Sequence, residues 1–225
     1  MSDASGHEQL IAALCAELRP VRPLAPPWVR ALGWIAAVVG LGIALASIAN
    51  LEALWHRLMM APDMWLAELG SALCAVLAAF AAFATSVPDR SPRWALLPLP
   101  AALLWIGASG VGCLRGWILP PAHTVLTDAV MDEMRLCLAF IVGISLPLSV
   151  LLVVMLRRAC PLRPGLTAAL GGLAAAAAAA TLLSLFHPYD VTASDLSVHA
   201  LAVLIVVGAN RVISGAALAD TAPGP

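Results

Sequence analysis

The chain has 225 residues, of which 62% are apolar and only 11% are charged, and its formal net charge is −1. Soluble domains carry about 25% charged residues, so this composition argues against an ordinary soluble protein and indicates an integral membrane protein. The near-neutral charge, without a run of basic residues, argues against direct nucleic-acid binding. The five unevenly spaced cysteines indicate neither a disulfide framework nor a zinc ribbon.

The first 27 residues are polar and rich in proline, and they lack the apolar core and cleavage site of a signal peptide. We therefore expect residues 1–27 to remain as a short cytoplasmic segment. It begins with a predicted amphipathic helix that ends before Pro20. The apolar face of this helix consists of Leu10, Ile11, Leu14 and Leu18. The stretch PVRPLAPP that follows predicts an extended linker.

Two interpretations of this N-terminal helix are open. A free helix of about 11 residues is marginal in water, so it either lies on the membrane surface or folds against a protein. Few basic residues lie on its polar face. This favours a protein partner with an apolar groove over membrane lipid.

Six charge-poor runs of about 20 residues come next, and each is long enough to cross about 30 Å of hydrocarbon. They lie at about 30–51, 64–87, 94–116, 135–156, 165–186 and 196–217. Because helices satisfy their own backbone in lipid, the predicted fold is all-α, a polytopic bundle of six transmembrane helices. The predicted division is a segment 1–27, a transmembrane domain 28–217 and a disordered tail 218–225.

Arginines collect at one end of these spans and predict their orientation. The flanking arginines at that end are Arg19, Arg22, Arg30, Arg90, Arg93, Arg157, Arg158 and Arg163. The connectors at the other end are richer in acids, including Glu52, Asp63, Asp128 and Asp190. The positive-inside bias therefore predicts that both termini are cytoplasmic.

Individual spans carry features of their own. The fifth contains Gly171, Gly172 and an unbroken alanine run at 174–180, and small residues let helices approach closely, so we place it in the middle of the bundle. Glu68 lies about four residues inside the second span, where an acid usually has a partner or a function, although it could instead snorkel to the interface. Pro147 in the fourth span indicates a kink.

The predicted topology brings several reactive side chains toward the outer end of the bundle. They are Cys113, Cys137, His187, His199 and Glu68. Glu133 lies one helical turn before Cys137 and points the same way. A thiol, an imidazole and a carboxylate can bind a thiophilic cation such as zinc or cadmium, and two outward thiols can oxidise to a disulfide. The alternative is packing, which we expect for Cys74.

Several motifs resemble those of the NrsF-type family of six-span anti-sigma factors. They are LIAALCAELRPVRPLAPPWVRALGW, RLCLAF at the start of the fourth span, RRACPLRPGLTAALGG and FHPYD, and the resemblance covers about residues 8–217. It implies that the chain holds an extracytoplasmic-function sigma factor at the bacterial inner membrane and releases it under stress such as metal insult. The residues implied in sigma binding are Leu10, Ile11, Leu14, Leu18, Val21, Arg22 and Leu24.

The resemblance also implies that Cys137 is a sensor at the outer end of the fourth span. The family's second cysteine falls in the connector after the fifth span, where this sequence has His187. Cys137 and His187 are therefore the candidate ligands for a regulatory metal, and we expect no resident cofactor. Whether Cys137 works with His187, with Cys113 or alone stays open.

Two other function classes fit the sequence less well. Ser109 and His199 resemble the pair of a rhomboid protease, but Ser109 lies in the third span and the glycines expected after the histidine are missing. A transporter or channel would need more charges within its spans than Glu68. The expected function is therefore regulatory, and we expect no enzymatic activity.

Overall fold

The structure is a computed structural model that describes residues 3–16, 23–60, 62–118, 128–186 and 193–219. The side chains of residues 3–5, 57, 58, 60, 62, 63, 112, 113, 115–117, 128–134 and 193–195 lie outside this description. In the described ranges the chain is mainly helical and contains no strand.

Nine α-helices follow one another in the described ranges. They are α1 (Asp3–Ala16), α2 (Pro27–Ala46), α3 (Leu51–Met60), α4 (Pro62–Thr85), α5 (Leu99–Ile118), α6 (Asp128–Leu156), α7 (Pro164–Leu183), α8 (Ala193–Ala209) and α9 (Gly215–Ala219). Short 3₁₀ helices occupy Pro92–Leu96 and Arg157–Ala159, and a π-helical turn at Asn210–Ser214 joins α8 to α9.

Six helical segments are long and apolar enough to cross a membrane, which confirms the predicted all-α, six-span fold. They are Pro27–Ala46, Met64–Thr85, Pro92–Val111, Arg135–Ala159, Pro164–Leu183 and Leu196–Ala219. We call the end of the bundle where α2 begins the terminal face, and the end where α2 finishes the distal face. The sixth span continues to Ala219, two residues into the predicted tail, and residues 220–225 lie outside the described residues.

The first span differs from its prediction at both ends. Its helix begins at Pro27, since proline is well suited to a first helical position, so Arg30 lies in the first turn and is buried rather than flanking the span. The helix ends at Ala46, and α3 follows it as an additional short helix. Asn50 caps α3, because its side chain accepts a hydrogen bond of 3.0 Å from the Ala53 amide.

The fifth span lies in the middle of the bundle, as its small residues predicted. α7 contacts α4, α6 and α8, and most of its residues are buried. Its whole alanine run is buried. Hydroxyl groups reinforce this packing, since Ser71 of α4 and Thr181 of α7 share a hydrogen bond of 2.9 Å, and Thr85 and Thr167 share one of 3.3 Å. α7 therefore lies in the middle of the bundle, packed against the second, fourth and sixth spans.

Gly70→Ala is expected to destabilise the bundle at the α4–α5 contact. A Cβ atom at Gly70 would lie 2.7 Å from the backbone nitrogen of Trp105 and 2.8 Å from its Cα atom. Backbone cannot rotate away, so the two helices must separate, at a cost of about 1–3 kcal/mol. Thermal unfolding of the detergent-solubilised protein measures the loss. Gly110→Ala is the matched control, because a Cβ there meets nothing within 4 Å, and equal losses in both variants would contradict the packing.

Candidate functional site

The bundle leaves the apolar side chains of the N-terminal helix α1 uncovered. Leu10, Ile11 and Leu14 are 57%, 56% and 58% exposed, and Leu24 in the linker is also exposed. All residues from 6 to 16 are exposed, so the bundle does not cover this helix. Three further residues of the predicted sigma-binding set lie outside the described residues. They are Leu18, Val21 and Arg22.

The linker that follows α1 lies against the terminal face of the bundle. A cavity of about 230 Å³ separates residues 24–27 and Arg30 from residues 86–88, which follow α4, and from Ala159, which follows α6. Its walls are mainly aliphatic and proline side chains. The last part of the N-terminal segment is thus placed between the ends of the second and fourth spans.

Arg30 joins three spans at this face. Its Nη2 donates a hydrogen bond to the carbonyl oxygen of Met155 in the last turn of α6, where α-helical geometry leaves carbonyls without a donor of their own. Its guanidinium carbon lies 5.0 Å from the ring centre of Phe83 in α4, a cation–π contact. The positive charge also lies at the negative end of the α6 dipole. Arg30 therefore has a structural role in addition to the flanking charge that the sequence predicted.

Trp34 lies one turn after Arg30 in α2 and is fully buried. Its indole Nε1 donates a hydrogen bond of 3.0 Å to the carbonyl oxygen of Leu148 in α6. α6 continues through Pro147, immediately before this acceptor. The sequence contained a weak signal for this contact, since an arginine and a tryptophan at i and i+4 lie on one side of a helix, but it gave no indication of their partner.

A second polar group lies near the distal face and joins three spans. The side chain of Glu68 in α4 forms a hydrogen bond with that of Ser184, which follows α7, and it lies near His199 of α8. Ser71, one turn after Glu68, bonds Thr181 of α7. Glu68 is partly buried, so the structure supports the interpretation that this acid has partners within the bundle. Ser184 was not predicted as one of them.

Cys137 lies at the seam where α6 meets α7 and α8. It is only 7% exposed and packs with Ala179, Leu183 and Ala202 in one buried cluster. Phe140 of α6 lies close by, with its ring centre 5.8 Å from that of Phe186. The thiol is not bonded to another sulfur. Cys137 therefore occupies the predicted end of the fourth span, but its thiol is turned into the helix packing.

The other predicted sensing residues are only partly placed. Cys113 and Glu133 lie in α5 and α6, but their side chains lie outside the described residues, as does the whole of His187. Among the described side chains, no three His, Cys, Asp or Glu residues form a group that could hold a metal ion. Cys74 is fully buried in the core, in agreement with its predicted packing role. The structure thus brings Glu68 and His199 together, and it places Cys137 in an apolar cluster.

A bundle of six apolar spans around an alanine-rich central helix, with an uncovered helix at its start, defines a polytopic helical membrane protein. A family model described as negative regulator of sigma F matches residues 14–219, nearly the whole chain. The chain belongs to this family, and a sigma factor is therefore its partner. No curated protein and no solved structure matches the chain. The match includes Leu14 but not the preceding turn of α1, where Leu10 and Ile11 lie.

Proposed function

We propose that the chain is a membrane-bound anti-sigma factor that sequesters an extracytoplasmic-function sigma factor at the bacterial inner membrane. Both termini lie in the cytoplasm, and a periplasmic stress signal, a metal or an oxidant, acts near Cys137 and causes release. The family match over residues 14–219 is the observation that carries this proposal. The proposal assigns the chain no catalytic activity and no resident cofactor.

The exposed face of α1 is the proposed contact with the sigma factor. Leu10, Ile11 and Leu14 lie on one side of a helix that the bundle does not cover. Burying a leucine or isoleucine side chain contributes up to about 1.5–3 kcal/mol, so an apolar groove on the partner would bind this face and stabilise the short helix. Holding the sigma factor on a membrane-anchored helix keeps it away from polymerase in the cytoplasm.

In this proposal a signal reaches Cys137 only when the helices move, because the thiol is buried. A thiophilic cation such as cadmium or zinc, or an oxidant that adds atoms to the sulfur, needs more room at the thiol than the α6–α7–α8 seam provides. Such a signal therefore binds better when α6 moves away from α7 and α8, and it shifts the population toward that arrangement. The group formed by Glu68, Ser184 and His199 also involves the ends of α7 and α8. The proposed movement would therefore change its contacts.

Cys137→Ala is expected to abolish the response to the signal, because it removes the sulfur on which a cation or oxidant acts. Cys74→Ala is the matched control, since Cys74 is also a buried thiol in a membrane span. Transcription from sigma-dependent promoters is measured with and without cadmium, and separately with a thiol oxidant. The parent chain and Cys74→Ala should respond, whereas Cys137→Ala should not. A normal response of Cys137→Ala to both signals would contradict the proposed sensor.

The function as a whole is tested by removing the gene. Transcription from the promoters of the partner sigma factor should rise in the absence of any stress, and the complete chain supplied in trans should silence it again. A transporter, a channel or an intramembrane protease would not silence these promoters in proportion to its own amount. Unchanged transcription in the deletion strain would overturn the proposal.

A further inference from the structure

Two neighbouring side chains of α2 bind the backbone of α6 at the place where the N-terminal segment meets the bundle. Arg30 donates to the Met155 carbonyl, and Trp34 donates to the Leu148 carbonyl at 3.0 Å. Arg30 is 8% exposed and Trp34 is fully buried. The two donors are separated by one helical turn and the two acceptors by about two turns, so each pair lies on one side of its own helix.

The acceptors belong to the part of α6 that follows Pro147. Proline has no N–H, so the helix lacks one hydrogen bond of its ladder at this point and is more easily bent. Before the proline, Ser145 bonds the Ala175 carbonyl of α7 at 3.4 Å. Directly after it, Trp34 attaches Leu148 to α2. The section of α6 beyond the proline is thus bound to α2, the helix that directly follows the linker.

Arg30 also connects this section of α6 with the linker and with α4. It lines the cavity of about 230 Å³ together with residues 24–27 of the linker, and it stacks over Phe83 of α4. Only four positions separate Arg30 from Pro26, which precedes α2. Because prolines restrict the linker to few backbone conformations, a displacement of Arg30 changes the direction in which the N-terminal segment leaves the bundle.

We propose that Arg30 and Trp34 are positioning residues that couple α6 to the sigma-binding segment. A movement of α6 that begins at Cys137 reaches the linker through the carbonyls of Met155 and Leu148, and it changes how α1 is presented. This inference rests on the proposed function for its biological output. The mechanical coupling between α6 and the linker is nevertheless measurable without a sigma factor.

Three substitutions separate coupling from simple support of the fold. Arg30→Met keeps an unbranched chain but removes all donors, whereas Arg30→Lys keeps a positive donor that reaches a carbonyl. Trp34→Phe removes the indole N–H and preserves an aromatic ring in the buried site. Arg158→Met is the matched control, because Arg158 is an exposed arginine at the same face. Cys137→Phe supplies the input, since its bulk forces α6 away from α7 whatever the natural signal is.

The first measurement uses spin labels on cysteines placed at residues 24 and 159, on opposite walls of the cavity. Cys15, Cys113 and Cys160 are replaced by serine, and Cys137→Ala is the reference chain. In the complete chain in lipid vesicles, Cys137→Phe should change the spin–spin broadening. The change should be lost in Arg30→Met, reduced in Trp34→Phe, and retained in Arg30→Lys and Arg158→Met. A change that persists unaltered in both Arg30→Met and Trp34→Phe overturns the coupling, as does an equal loss in Arg158→Met.

The second measurement is sigma-dependent transcription in cells. Cys137→Phe should raise expression, and Arg30→Met should reduce this increase by about tenfold, the effect of a lost hydrogen bond to a charged group. An increase of unchanged size in Arg30→Met overturns the inference while leaving the proposed function intact. If no chain variant silences the promoters, the proposed function fails, and the spin-label result alone then decides the coupling.

Discussion

Leu10→Asp combined with Leu14→Asp is expected to release the sigma factor and raise transcription to the level of a strain without the gene. Both leucines are more than half exposed on α1, and the proposed groove buries them. Losing their burial costs about 1.5–3 kcal/mol for each side chain, and a carboxylate in an apolar groove costs more. Binding should therefore weaken by at least about 100-fold. The measurements are promoter activity and co-isolation of the sigma factor with solubilised membranes.

The control for this pair places the same two charges on the other side of α1. With 3.6 residues per turn, Ala12 and Ala16 face away from Leu10 and Leu14. Ala12→Asp with Ala16→Asp changes charge and helix propensity similarly but spares the apolar face, so silencing should persist. Silencing that survives the leucine pair, or that is lost equally in both pairs, would show that this face does not hold the sigma factor.

Gly172→Leu is expected to have the largest effect on the folded bundle. A Cβ atom at Gly172 would lie 2.8 Å from the Asn210 Cβ atom and 3.1 Å from the Val206 carbonyl oxygen. Asn210 cannot move away easily, because its amide bonds the Ser149 hydroxyl of α6 at 3.0 Å. α7 and α8 must then separate at a cost of about 3 kcal/mol or more. We expect a large fall in the yield of folded protein and in its unfolding temperature.

Two other glycines provide comparisons for this substitution. Gly208→Leu on α8 should be tolerated, because a Cβ there meets nothing within 4 Å. Gly171→Ala should be milder than Gly172→Ala, since its contact at 2.7 Å is the Cδ2 methyl group of Leu152, which can rotate. An unfolding temperature for Gly172→Leu equal to that of Gly208→Leu would contradict the close approach of α7 and α8.

The sequence was sufficient to predict the six spans and the central place of the fifth. Hydropathy and length identify a span because the lipid bilayer requires an apolar helix of a given length. An alanine-rich helix indicates a central position because its small side chains let neighbouring helices approach closely. α3 was missed because it is short and carries Glu52 and His56, which exclude it from a search for spans. Its capping residue Asn50 followed by an acid in the first turn was the available signal.

Arg30 illustrates why the candidate site was less predictable than the fold. A charged residue at the start of an apolar run is normally counted as a boundary, and the positive-inside rule uses it in that way. Its partner Met155 is separated from it by 125 positions. No local pattern encodes such a pair, because it depends on how α2 and α6 pack. Similarly, an acid within a span is costly, so the sequence identified Glu68 as a candidate. Its partners Ser184 and His199 depend on how α4, α7 and α8 pack.

The position of Cys137 followed from topology, whereas its burial did not. Alternate faces of α6 are equally apolar in the sequence, so periodicity could not decide whether the thiol points to lipid, to water or into the bundle. The structure turns it toward α7 and α8. Under the proposed function, access of a signal to the thiol would therefore depend on helix movement.

Co-isolation of the partner sigma factor from solubilised membranes tests the central claim most directly. The complete chain and a chain lacking residues 1–22 are compared at equal amounts in the membrane, so that the six spans and the linker at 23–26 are common to both. The account predicts that the complete chain retains the sigma factor and that the shortened chain loses it. Retention of the sigma factor by the shortened chain would contradict the account, because the contact would then lie on the bundle and not on α1.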